Sequence, residues 1–73
     1  MVEDTLKDCE LQIERKTFVF VLKENPRGRF LRIIEAGNSK SVSIIVPATG
    51  LKEFQAVLAD MVKAEGEILA KNA

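Results

Sequence analysis

The chain has 73 residues, and eleven Lys/Arg balance eleven Asp/Glu, so the formal net charge is zero while 47% of residues are hydrophobic. A chain this short forms one domain at most and buries only about 60% of its unfolded surface, so it calls for added support. Cys9 is the only cysteine and histidine is absent, which excludes an intrachain disulfide and leaves a poor donor set for a transition metal, so association is the remaining support.

The zero total hides a division. Residues 1–14 hold one lysine against five acids, and residues 15–40 hold seven Lys/Arg against two acids. The local field, and not the sum, governs the approach of an anionic ligand. The opening MVEDTLKDCE is acidic and mixed, unlike a secretory leader. No apolar run approaches the ~20 residues that span a bilayer. The expectation is an intracellular protein, in cytoplasm or nucleoid, or in a nucleus, with no membrane partner.

Residues 1–8 are polar and acidic and are expected to fray, leaving a core of about 10–66 within a single unit over 1–73. Leu11 and Ile13 alternate with Gln12 and Glu14, as in a short strand. Lys16–Lys23, KTFVFVLK, is β-branched and aromatic and reads as a strand. Phe18, Phe20 and Leu22 share one side; Val19 and Val21, with Thr17 and Lys23, share the other. With both sides apolar, the second must meet a partner or a ligand.

Asn25-Pro26-Arg27-Gly28 has the residues of a type I turn, and Gly28 can take αL and form the bulge that closes a hairpin of this length. Phe30–Glu35 returns as a strand, with Leu31 and Ile33 on one side and Phe30, Arg32 and Ile34 on the other. Gly37-Asn38 supplies a second turn. Ser41–Pro47 is a further strand, with Val42, Ile44 and Val46 opposed to Ser41, Ser43 and Ile45; Pro47 ends it.

Thr49 or Gly50 can cap a helix from about Leu51. Leu51, Phe54, Val57, Leu58, Met61 and Val62 recur at helical spacing and read as core. Gly66 weakens the helix by about 1 kcal/mol, yet Ile68 and Leu69 continue the apolar pattern and suit contact with a partner chain. The last residues, KNA, are expected to fray. The fold class is α+β: a meander of three or four antiparallel strands followed by one helix, with one sheet face left open.

Catalysis finds little support. Histidine is absent, no serine has a plausible base, and Arg27-Gly28-Arg29 is no nucleotide fingerprint; neither enzyme activity nor a cofactor is expected. The basic hairpin is the better candidate. Arg15, Lys16, Lys23, Arg27, Arg29 and Arg32 can meet phosphates, Phe30 can stack on a base, and Asn25 and Ser43 can add hydrogen bonds. Arg29 is the weakest of these, because alternation sends it to the side of Leu31 and Ile33. Two bland readings stand beside this one: the basic residues as a solvated face, and Phe30 as core. Val19, Val21, Ile34 and Ile45 also suit a protein interface on the same side.

From Leu11 to Gly66 the chain resembles a PUR repeat, the unit of the purine-rich element binding (Pur-alpha-like) family. The resemblance rests on ERKTFVFVLKENPRGRFLRIIE (Glu14–Glu35), SVSIIVPATG (Ser41–Gly50) and LKEFQAVLADMV (Leu51–Val62), in order and correctly spaced. It implies four antiparallel strands and a helix (ββββα), related to the Whirly-like single-strand binders. Because two repeats interlock in that family, one repeat implies an interlocked homodimer. It also implies binding of single-stranded DNA or RNA, with preference for purine- or G-rich strands and an ability to destabilise duplexes. The implied nucleic-acid-binding positions are Arg15, Lys16, Lys23, Asn25, Arg27, Phe30 and Arg32. The chain departs from the family pattern at Val19, Val21 and Glu24, where aromatic, acidic and amide residues are frequent. A second reading is a dimerisation or protein-interaction module that uses the apolar sheet face.

Overall fold

The computed structural model describes residues 3–37 and 40–72, with side chains through Leu69. The elements are β1 (Asp4–Ile13), β2 (Lys16–Asn25), β3 (Gly28–Ala36), β4 (Ser41–Pro47), a 3-10 turn (Ala48–Gly50) and α1 (Leu51–Asn72). The strands form one antiparallel sheet in the order β1-β2-β3-β4.

Strand β1 corrects an expectation. Residues read as frayed are in the ladder from Asp4, which faces Glu24, and Thr5 faces Lys23. A bulge lies between Thr5 and Lys7. Asp, Glu and Lys have little strand propensity of their own. Pairing with the strongly β-forming β2 is what makes DTLKDCELQI a strand.

Two tight turns shape the meander. Ile13 pairs with Lys16 around Glu14-Arg15, and Glu14 takes φ 55, a left-handed conformation that strains a residue with a Cβ. At the other end Asn25 pairs with Gly28 around Pro26-Arg27. There Asn25 Oδ1 accepts the Arg27 N–H at 2.9 Å, and Gly28 takes φ 140, positive but outside the αL region expected of it, in direct pairing with Asn25 and without the expected bulge. The third turn is closed by the Gly37 N–H donating to the Lys40 carbonyl at 3.1 Å; Asn38, expected to contribute, lies outside the described residues.

The register assigns the faces. Cross-strand partners share a side of the pleat. Leu11, Phe18, Phe20, Leu22, Leu31, Ile33, Ile44 and Val46 therefore fall on one face, and Val19, Val21, Lys23, Phe30, Arg32, Ile34, Ser43 and Ile45 on the other. Helix α1 starts on the first face, where Leu51, Phe54 and Leu58 line a gap of about 340 Å³ with Phe20, Leu31 and Ile33. Among the described residues, no element covers the second face.

Thr49 and Gly50, read as candidate caps, directly precede the helix. Both lie in the 3-10 turn, and the Leu51 N–H donates to the Ala48 carbonyl. Gly66 does not stop it, and it runs to Asn72, into the residues expected to fray; Ala73 lies outside the described residues.

The apolar helix stripe is not core within one chain, which corrects the reading above. Leu51 and Phe54 are half-buried, but Val57, Leu58, Met61 and Val62 are exposed, Val62 to 71%, and Leu69 to 66%. Val46, at 9% exposure, is the only buried hydrophobic side chain among the described residues. The radius of gyration is 15.2 Å, whereas a compact domain of this length has about 11 Å. The helix lines the sheet gap through Leu58, while its distal apolar residues stay exposed.

Candidate nucleic-acid interface

The helix-free face is built in rows across the strands. One row is Thr5, Lys23, Phe30 and Pro47; the next is Asp8, Val21, Arg32 and Ile45; the third is Glu10, Val19, Ile34 and Ser43. Phe30 thus lies between a cation on β2 and a proline on β4. Phe30, Ile45 and Pro47 line a shallow groove of about 510 Å³ with Asn25, Arg27, Gly28, Arg29 and Glu3. It has an apolar patch within reach of basic and amide groups, which suits a flat base joined to an anionic backbone.

The turn supplies part of the rim. Asn25 Oδ1 is engaged by the Arg27 N–H, which turns the Asn25 amide NH2 donor toward a ligand as the freer group. Arg27 sits at the hairpin tip and is exposed. Arg29 pairs with Glu24 at 3.3 Å and is cross-strand to it, as alternation predicted. It still reaches the groove, because β4 ends opposite Phe30 and leaves Arg29 without a β4 neighbour.

Lys23 and Arg32 differ in their partners. Lys23 Nζ lies 3.4 Å from Glu3 Oε1, with 22% of the lysine side chain exposed. Arg32, half-buried between Val21 and Ile45, has a buried Nε with no hydrogen-bond partner among the described residues. A buried donor left unsatisfied costs about 1–3 kcal/mol, so an acceptor delivered by a ligand is favoured there.

The structure does not bring Arg15 and Lys16 to this groove. Arg15 is at the β1–β2 turn, and Lys16 is on the helix-bearing face, 3.0 Å from Glu35. Seven residues of strand separate Lys16 from Lys23, about 23 Å. Period-2 alternation between Lys16 and Lys23 already carried the signal that they face opposite ways.

Sequence reasoning missed the contributions of Glu3, Asp8 and Glu10 to this face, since the strand ladder was not expected to extend to Asp4. It also treated Pro47 only as a strand terminator, although the register sets it beside Phe30. Among the described residues there is no group of three or more His, Cys, Asp or Glu able to hold a metal ion, and no helix is long and apolar enough to cross a membrane.

The family profile described as "PurA ssDNA and RNA-binding protein" matches residues 2–72. The chain is 52% identical over 44 residues to "Transcription factor Pur-alpha 1" of Arabidopsis thaliana, covering 60% of this chain and 15% of that protein. It is 38% identical over 68 residues to "Transcriptional activator protein Pur-alpha" of Mus musculus and of Homo sapiens, covering 84% of this chain and 21% of each. The chain therefore spans about a fifth or less of the length of these curated relatives.

Proposed function

This chain belongs to the PurA family of ssDNA- and RNA-binding proteins, and on that premise we propose that it binds a purine- or G-rich single strand, without catalysis, in the groove at the β2–β3 hairpin. The observation that carries this reading is the row Lys23–Phe30–Pro47 on a sheet face that no element covers among the described residues. A base stacks on Phe30, against Ile45 and Pro47. Its phosphates meet Lys23 and Arg27, and the Arg32 guanidinium takes an acceptor from base or backbone. Asn25 donates from its amide. Destabilisation of a duplex follows from Phe30 taking the place of a neighbouring base, with no nucleotide hydrolysis. Arg15 and Lys16 extend the contact only for a strand long enough to reach the far end of β2.

The binding unit is an interlocked homodimer inside the cell. Support comes from the exposed distal helix stripe, the near absence of buried side chains and the extended shape. A second α1, crossing the helix-bearing face, would cover the exposed Leu11, Ile13, Val42 and Ile44. Regulation of transcription is the process in which such binding would act, in line with the relatives' names.

The test is a titration of a purine-rich DNA strand, its complement and their duplex at two salt concentrations. Tight, salt-dependent binding of the purine strand above the other two is expected. Equal and weak binding of all three favours the second reading, a protein-interaction module, for which the exposed Ile45 beside Val21 and Ile34 is the supporting feature.

A further inference from the structure

We propose that the N-terminal end of β1 is a displaceable strap, and that the Glu3 carboxylate occupies the place a phosphate takes on Lys23. The inference rests on the reading that this groove binds a single strand.

Three observations converge on residues 3–7. Glu3 Oε1 lies 3.4 Å from Lys23 Nζ, and Glu3 lines the groove that also contains Arg27, Arg29 and Phe30. A carboxylate is an anionic pair of oxygens and competes with a phosphate for the same ammonium. Second, the next residue is held badly. Asp4 is directly cross-strand to Glu24, and like charges in that relation destabilise a ladder. Third, the bulge between Thr5 and Lys7 interrupts the pairing just behind. A bulge leaves a residue unpaired and disrupts the ladder locally, so the segment before it can open while Asp8–Ile13 stays in place.

The strap is therefore held by its ladder pairs at Asp4 and Thr5 and by the ion pair, and loosened by Asp4 facing Glu24, a charge that Arg29 partly offsets. A half-exposed ion pair of this kind is weak, and a nucleic acid that delivers a phosphate to Lys23 can replace it. The consequence is a threshold. Ligands that place a phosphate on Lys23 while a base sits on Phe30 displace Glu3, whereas a weakly held polyanion that touches Lys23 alone competes with it at a disadvantage.

The experiment is a double-mutant cycle on the full chain, read as the dissociation constant for a purine-rich DNA oligonucleotide at low salt. Glu3→Gln is expected to tighten binding about twofold to fivefold, the scale of an exposed ion pair. In a Lys23→Ala background the same change is expected to have no effect, because the competed cation is gone. Glu53→Gln, on the exposed outer side of α1, controls for net charge and is expected to shift affinity less than the strap variant. Hydrogen exchange supplies an independent readout: backbone amides of residues 4–6 should exchange faster when oligonucleotide is added. Equal tightening by Glu3→Gln with and without Lys23 would reduce Glu3 to a distant repulsive charge and overturn the strap. Slower exchange at residues 4–6 on binding would overturn it as well. A wild-type chain that binds no single strand would remove both the strap and the function on which it rests.

Discussion

Phe30 stands directly opposite Lys23 in the β2–β3 ladder. Cross-strand partners have Cβ atoms about 4.5–5.5 Å apart, so an aromatic ring and a cation share one spot on the open face. A nucleotide offers the complementary pair, a flat base and a phosphate, and the adjacent hairpin tip adds Arg27. This pairing separates the groove from an ordinary solvated basic surface.

Replacing Phe30 by Ala should weaken single-strand binding by roughly 1–3 kcal/mol, the scale of one base–aromatic stack. The fold and the oligomeric state should be unchanged, as judged by circular dichroism and light scattering. Unfolding or dissociation in place of weaker binding would assign Phe30 to a structural role and turn the open face into a protein contact.

Replacing Lys23 by Ala should weaken binding for every sequence and reduce the slope of log K against log salt by about 0.7, one phosphate contact on a single strand. Lys16→Ala should leave the slope nearly unchanged with a short oligonucleotide, since Lys16 pairs with Glu35 on the helix-bearing face. Equal slope changes for the two lysines would show that the strand does not follow the proposed groove.

The helix offers a sharper test of assembly. Val62 is 71% exposed in the single chain, and a charge at so open a position would cost within about 0.5 kcal/mol if the chain worked alone. In an interlocked dimer the same position is covered, and Val62→Asp buries a carboxylate without a partner. Loss of the dimer with loss of helical signal is expected. A variant as stable as the wild type, or a folded wild-type monomer at micromolar concentration, would count against interlocking.

The two hairpin turns should respond in opposite directions. Glu14 holds φ 55 with a Cβ, and Glu14→Asn should raise Tm by a few degrees, because asparagine tolerates this region better. Gly28 holds φ 140, and a Cβ there meets nothing within 4 Å. Gly28→Ala is therefore a clean measure of backbone strain, expected at about 1–2 kcal/mol, with the groove altered as the hairpin shifts. Thermal melts of the two variants check both signs.

Much of the sheet was legible because its signals are local. The alternation through Phe18–Lys23, Phe30–Ile34 and Ser41–Val46 assigned each of these side chains to the face it occupies, since period 2 leaves no freedom once the strand exists. The turn at Asn25–Gly28 was legible for the same reason: proline presets one φ, and glycine accepts the positive one. Arg29 is instructive. Alternation correctly sent it to the side of Leu31 and Ile33, where the structure pairs it with Glu24, yet it also lines the groove, because β4 ends opposite Phe30, a fact that belongs to register and not to pattern.

What the sequence by itself determined, then, is the order of strands and helix, the basic hairpin, and the side of the sheet for the strand residues Thr17–Lys23, Phe30–Ile34 and Ser41–Val46. Propensity, alternation and turn chemistry act over a few residues and suffice for that. Only the tertiary structure decided that Asp4–Asp8 joins the sheet, because an acidic segment owes its strand state to a partner up to twenty residues away. Only it separated Lys16 from Lys23 by the length of a strand and by a face, set Pro47 beside Phe30, and brought Glu3 onto Lys23. It also showed that the apolar stripe of α1, read locally as core, is largely exposed in one chain. Helical period marks which residues must be covered, while the surfaces packed against the helix decide whether its own chain covers them.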